Sequence, residues 1–242
     1  MLTRRWWFLL AATLAFSALT ARLGVWQLGR ATQKETIYAQ QQSQLQLPPL
    51  NAAELLVSAS SGQALYRRLD VQGHWIASDT VYLANRSLRG QSGFLVLTPL
   101  RLHDQTSILV IRGWAPRDWV DSNRLPIIET PLDEVRVQGI WTAAPSHMLE
   151  LAPMPQESLS RTRFQSLRQN IELDAYARET GLNIVAVLQE AGEPSQGLIR
   201  EAPSILSGAD RNKAYALQWF AMSLVCAGLF VWFQIIQKIR HG

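Results

Sequence analysis

Ala214 to Ile236, AYALQWFAMSLVCAGLFVWFQII, is a run of 23 residues without a charged side chain. As a helix it extends roughly 34 Å, slightly more than the hydrocarbon core of a bilayer. Arg211 and Lys213 precede it and Lys238 and Arg240 follow it, the basic flanks of a membrane span. This run decides the architecture: the chain is anchored, and its other elements divide around a bilayer.

A second apolar run lies near the start. Trp6 to Ala21 is 16 residues long before Arg22 interrupts it. A signal peptide reads on the same residues, with Arg4 and Arg5 as its basic region and Ala15-Phe16-Ser17 as a small-residue cleavage site. Apolar character nevertheless continues through Leu23, Gly24, Val25, Trp26 and Leu28. Arg22 can carry its charge to the headgroups along its own aliphatic stem. An uncleaved helix is therefore expected over 6–28.

Two spans put both termini on one side. Arg30, Lys34, Arg211 and Lys213 crowd the opposite face, so orientation rests on the short basic N-terminus, which holds the tails in the cytoplasm. The expected order is a cytoplasmic tail over 1–5, a membrane helix over 6–28, a periplasmic domain over 29–213, a second membrane helix over 214–236 and a cytoplasmic tail over 237–242.

Composition narrows the class further. Charged residues make up 17% of the 242-residue chain and apolar ones 48%, with nine tryptophans, a balance that favours lipid contact. The net charge of +4 comes from Arg4, Arg5, Lys238 and Arg240, because residues 6–237 set 19 Lys and Arg against 19 Asp and Glu. A nucleic-acid binder usually shows a basic face or stripe, whereas here the excess sits at the two ends, so nucleic-acid binding is not expected. Cys226 is the only cysteine, which excludes an intrachain disulfide and a cysteine-cluster metal site.

Between the spans, residues 35–64 begin as a Gln-rich connector, with Pro48 and Pro49 ahead of a short helix over Asn51 to Ser58. Strands are predicted over Leu65–Trp75, Thr80–Arg86, Phe94–Leu102, Ser107–Trp114 and Glu134–Thr142, all rich in Val, Leu, Ile, Tyr and Trp. Ile171–Thr180 reads as a helix closed by Gly181, and Asn183–Gln189 as a strand buried on both faces. The fold class is thus an α+β membrane protein, a two-helix transmembrane hairpin with a β-rich periplasmic domain shaped as a barrel or a sandwich. VQGHW at Val71–Trp75 echoes VQGIW at Val137–Trp141, which predicts two strands of similar role with a glycine where backbone or a large ring comes close.

Catalytic signatures are missing. His74, His103, His147 and His241 share no metal-ligand spacing, and His103-Asp104 reads as a turn pair. No serine elbow, phosphate loop or paired-carboxylate pattern occurs, so an enzyme is not expected.

GVWQLGR, Gly24 to Arg30, closes the first span, and NKAYALQWF, Asn212 to Phe220, opens the second. A hairpin sets Trp26-Gln27 and Gln218-Trp219 at similar depth beside Arg30 and Tyr215. Tryptophan and tyrosine anchor membrane interfaces in general, so the rings alone carry little. Two amides near hydrocarbon need partners, either across the helices or on a ligand or partner helix. In the domain, NRSLRGQSGFLVLTPL at Asn85–Leu100 and RGW at Arg112–Trp114 stand out. Their glycines read as turn residues; Arg86 and Arg112 read either as surface charges or as contacts for an acidic partner.

These segments resemble the surfeit locus protein one family. Gly24, Trp26, Gln27 and Arg30 match its G-x-W-Q-x-x-R motif; Val71, Gly73, Trp75, Asn85, Arg86, Thr98, Pro99 and Leu100 match its next segment. Arg112, Gly113, Trp114, Ala115 and Pro116 match R-G-W-[VA]-P, and Tyr215, Ala216, Gln218, Trp219 and Phe220 match Y-A-x-Q-W-[FY]. The resemblance implies a non-enzymatic assembly factor of the bacterial inner membrane for haem-copper cytochrome c oxidase. It would assist haem a placement in the catalytic subunit, with that subunit, other oxidase assembly factors and the lipid bilayer as partners. A permanent accessory subunit of a terminal oxidase, or a membrane-anchored periplasmic enzyme, are the alternatives. One departure bears on haem a as a transient cofactor: the family's histidine three residues before the tyrosine is Asn212 here. An amide is a poor iron ligand beside imidazole, so axial ligation there is not expected, whereas a scaffold role survives.

Overall fold

The computed structural model describes residues 4–59, 65–103, 106–121, 124–148, 167–200, 207–237 and 239. Asp104, the connector residues 60–64 and tail residues 1–3, 238 and 240–242 lie outside them. The chain divides into two compact units, Met1–Gln40 with Ile205–Gly242, and Gln41–Ser204.

Helix α1 runs Arg4–Gln46 and belongs to the first unit as far as Gln40. It does not stop near Leu28, and the expected connector is helical as far as Gln46. Residues 31–46 hold no glycine or proline and include six glutamines and two alanines, which favour helix, and the hydroxyls of Thr32 and Thr36 donate to the carbonyls four residues back. Pro48 and Pro49 then forbid its continuation. The returning helix spans Ala209–Val231 and loosens into a π-helical turn over Trp232–Ile236. Both helices are long and apolar enough to cross a membrane by length and composition.

Their packing follows a heptad-like spacing. Ser17, Thr20, Gly24, Gln27, Ala31 and Lys34 alternate steps of three and four along α1, the repeat that keeps one stripe on a neighbouring helix. Thr20, Gly24 and Ala31 are buried, as are Ala209 and Ala216 across from them. A β-carbon on Gly24 would come within 2.6 Å of the Phe220 ring. Ser17 and Ser223 donate reciprocally to each other's carbonyls at 3.4 and 3.0 Å. Small side chains let two backbones approach, and polar ones then bond across, as in membrane helix pairs.

The second unit is built on seven strands. These are β1 (Arg68–Trp75), β2 (Val81–Leu88), β3 (Gln91–Arg101), β4 (Ser107–Pro116), β5 (Val135–Thr142), β6 (Leu167–Arg168) and β7 (Ile184–Glu190). They pair in the order β1-β5-β7-β4-β3-β2-β6, and a further β1–β3 pairing, His74 to Arg101 and Trp75 to Leu100, closes five of them into a ring. The alternative of barrel or sandwich thus resolves to a barrel-like sheet. Every pairing is antiparallel except β4–β7 and β2–β6.

The expected strands are present with shifted ends. The first begins at Arg68 because Tyr66 takes a left-handed φ of 71° in a turn. β2 and β3 meet through Arg89-Gly90, both with positive φ, the primed-turn geometry that matches strand twist. Of the ten residues of β4, nine are buried, and alternate ones enter different cores. Ile108 and Val110 join Leu69, Val71, Leu100, Val137, Trp141 and Leu188 in one, capped by Leu50 and by Leu55 of helix α2 (Ala52–Ala59). Asn51 and Glu54 close the start of α2 reciprocally, each side chain accepting the other's backbone N–H. Leu109 and Ile111 face the other core, with Val81, Leu83, Leu97 and Val187 beneath Tyr176 of helix α3 (Leu173–Thr180).

The two VQG segments pair directly, Val71 opposite Val137. Each glycine sits where the next strand's backbone leaves no room. A β-carbon on Gly73 would lie 2.2 Å from the Arg101 carbonyl oxygen, and one on Gly139 2.1 Å from that of Gln189.

Candidate functional site

Two places gather the residues singled out in the sequence. The first is the seam of the helical unit. Asn212 donates through Nδ2 to Gln27 Oε1 at 2.7 Å and accepts from Lys34 Nζ on Oδ1, also at 2.7 Å. Lys213 and Glu35 form an ion pair at 2.5 Å, and Arg30 donates to Gln33 at 3.1 Å. The amide partner of Gln27 is therefore Asn212, not Gln218. Asn212 and Ala216 are one helical turn apart and share the inward stripe, whereas Gln218 is turned well away from it.

Gln218 is exposed, and no described residue hydrogen-bonds its amide. Trp26 is 57% exposed and Tyr215 47%, while Trp219 is half-buried. The seven residues Trp26, Gln27, Arg30, Asn212, Tyr215, Gln218 and Trp219 thus split into an inner pair that joins the helices and a set turned outward.

The second place is in the β unit. Arg112 was expected at the surface, facing solvent or an acidic partner; it is wholly buried instead. Leu97 pairs with Ile111 and Val96 with Gly113, so Arg112 is the extra residue of a bulge, which redirects its side chain. Its guanidinium donates to Thr130 Oγ1 at 2.8 Å, to the Glu129 carbonyl at 2.6 Å and to Gln196 Oε1 at 2.6 Å, and it lies 4.7 Å from the centre of the Trp75 ring. Arg200 donates to the Arg112 carbonyl at 3.1 Å and pairs with Glu190 at 2.9 Å.

Arg86 is half-buried rather than a free surface charge. It donates to the carbonyls of Ser146 and Gln169 at 2.9 and 3.1 Å, and its own carbonyl accepts from the Trp114 indole at 2.8 Å. Burial lowers the proton affinity of Arg86 and Arg112 and raises that of Glu190, which Arg200 and Arg112 partly oppose.

Gly73 is the close-approach glycine expected and Gly90 the turn glycine expected, whereas Gly93 and Gly113 are close-approach positions rather than turn residues. A β-carbon on Gly93 would meet the Trp114 ring at 2.4 Å, and Gly113 holds φ +146° against the Ile199 carbonyl. Arg86, Gly113 and Trp114 line one cavity of about 470 Å³, together with Leu95, Glu190 and Arg200.

Sequence reading missed Lys34 and the Glu190–Arg200 pair. For Lys34 the signal was its place in the three-four stripe; for the others, charges that end or follow a buried strand. Among the described residues no group of three or more His, Cys, Asp or Glu could hold a metal. Asn212 does not fit axial ligation of haem iron: its amide is a weak donor, and both of its polar atoms are already engaged.

Comparison with known proteins places these features in context. A SURF1 family model matches residues 14–224. A SURF1-like protein of Rickettsia felis is 27% identical over 221 residues, 86% of this chain and 89% of that protein. Surfeit locus protein 1 of Arabidopsis thaliana is 30% identical over 118 residues, covering 44% and 33% of the two chains. Cytochrome oxidase assembly protein SHY1 of Saccharomyces cerevisiae is 26% identical over 116 residues, covering 46% and 30%.

Proposed function

The chain belongs to the SURF1 family, and from that premise we propose that it is an assembly factor for haem-copper cytochrome c oxidase. A yeast relative named as a cytochrome oxidase assembly protein is the observation that carries this reading. We place both helices across the bacterial inner membrane, with the termini in the cytoplasm and the β unit in the periplasm. The short basic N-terminus ahead of the first span supports that orientation. Assistance to haem a placement is read as contact with the catalytic subunit, without an iron bond from residue 212. No step of this reading requires turnover, so the protein acts as a scaffold.

Deletion of the protein is expected to reduce the activity of a-type oxidase severalfold and to leave other respiratory enzymes intact. An optical spectrum of membrane haems checks this; normal haem a occupancy in the deletion strain sinks the proposal. Recovery of the protein at fixed stoichiometry with mature oxidase would instead identify a permanent subunit.

The outward set is the proposed contact with the oxidase. Gln218→Leu is expected to impair oxidase assembly at unchanged protein abundance, because leucine suits lipid and removes only an outward amide. Gln27→Leu acts differently: it deprives Asn212 of one partner, a loss of about 0.6 kcal/mol, and lowers hairpin stability slightly. Immunoblotting beside an oxidase assay separates the two. Full oxidase activity in Gln218→Leu, Trp26→Phe and Trp219→Phe would reduce these residues to an interfacial belt.

A further inference from the structure

We propose that the cavity lined by Arg86, Leu95, Trp114, Met148, Glu190 and Arg200 binds an organic anion, a carboxylate or phosphate carried on a compact apolar body. It goes beyond the assembly role and does not depend on it.

The argument starts from charge. Arg86 and Arg200 line the cavity and Arg112 stands directly behind its wall, bonded to neutral oxygens. Among the described residues Glu190 is the only carboxylate paired with any of the three, through Arg200. Carbonyl, amide and hydroxyl oxygens accept from the terminal nitrogens of Arg86 and Arg112 but do not neutralise them. Charges removed from water normally pair with an opposite charge, so this region lacks negative charge.

Unmet hydrogen bonds point the same way. Nε of Arg86 is buried without a partner, and so is Oε2 of Glu190. Native interiors leave few such atoms unpaired, and two on residues that line one cavity mark a strain that a polar head would relieve. A bound anion draws on the charge of Arg86 and Arg200, which line the cavity, and accepts from Arg86 Nε once that side chain turns toward it.

The remaining wall selects the body. Leu95, Ile111, Trp114, Met148 and Ile199 are apolar, and Trp114 is held rigid by its indole bond to the Arg86 carbonyl. A volume of about 470 Å³ suits a small molecule rather than a bare ion. The lining includes Asn85-Arg86 and Gly113-Trp114 of the N-R and R-G-W motifs, which the helical seam leaves without a role.

Calorimetry on the full chain in phosphatidylcholine nanodiscs, with empty nanodiscs as blank, tests the proposal. The probes are 4-phenylbutyrate and phenyl phosphate, with 4-phenylbutanamide as neutral isostere and 4-phenylbutylamine as cation. At least one anion is expected to bind, and the amide about tenfold more weakly or worse, the ratio expected for one charge-assisted hydrogen bond. Which anion binds tighter tells a carboxylate source from a phosphate one.

Arg86→Gln is expected to weaken the anion about tenfold. Glu190→Gln is expected to keep or tighten it, because the substitution removes the one negative charge among the lining residues. Leu88→Trp, which fills the cavity without touching a charge, is expected to abolish binding. Should Arg86→Gln fail to fold, the wild-type anion-to-amide ratio and the other two variants still decide. The proposal is overturned by equal affinity for anion and amide, by preference for the amine, or by no anion binding up to about 1 mM.

Discussion

Arg112→Ala is expected to unfold the β unit at growth temperature and to deplete the protein from membranes. The substitution removes a wholly buried guanidinium and the three hydrogen bonds that tie β4 to the 129–130 and 196 segments. It also withdraws one of the two cations that stabilise the buried Glu190 carboxylate. Breaking a buried charged network from one side costs about 3–5 kcal/mol, a large share of the roughly 5–15 kcal/mol that holds a domain together. The corresponding fall in thermal midpoint is about 10 °C or more for a unit of this size. Arg112→Lys keeps the charge but cannot present a planar fork to three acceptors, and is expected to lose about half as much. Thermal unfolding followed by tryptophan fluorescence measures both. A midpoint within about 2 °C of wild type for Arg112→Ala would show that the network holds nothing together.

Gly139→Val is expected to be nearly as damaging, for a steric rather than an electrostatic reason. Its β-carbon would sit 2.1 Å from the Gln189 carbonyl oxygen and 2.8 Å from Leu188 Cδ1, in the ladder that joins β5 to β7. Backbone cannot yield there without parting the strands, so the cost is about 3 kcal/mol or more. Gly73→Ala meets the Arg101 carbonyl in the same way, where β1 closes on β3. Gly181→Ala is the control. Nothing lies within 4 Å of its added carbon, and only the φ of 70° penalises it, by about 1–2 kcal/mol. Limited proteolysis of the three variants ranks them; equal resistance of Gly139→Val and Gly181→Ala would refute the crowding argument.

The elements were legible where local chemistry decides them. Runs such as Ser107–Trp114 have the β-branched composition of buried strands, and the helix ending at Gly181 needs only its own sequence to stop. Pairing was not legible. β7 lies between β4 and β5, parallel to one and antiparallel to the other, and no local pattern encodes that placement. Arg112 illustrates the same limit. An arginine at the end of an apolar run reads as a solvent contact until Thr130 and Gln196, far along the chain, are brought to it.

In the helical seam the miss was different in kind. Depth in the bilayer was read for Gln27 and Gln218, but angle around the helix was not. The three-four spacing of Ser17 to Lys34 contains that angle, and it selects Asn212 as the amide facing Gln27.

The position of β7 also governs how the chain is completed during synthesis. Strand β4 leaves the ribosome long before the segment that pairs with its second edge, since Ser107 to Ile111 await Ile184 to Gln189. A nascent or prematurely terminated chain that ends before Ile184 carries an open, almost wholly apolar edge on β4 and another on β5. Such edges recruit strands from other chains. Truncations upstream of β7 therefore yield aggregates rather than shorter working proteins, whereas shortening the chain after Ile236 spares the ring entirely.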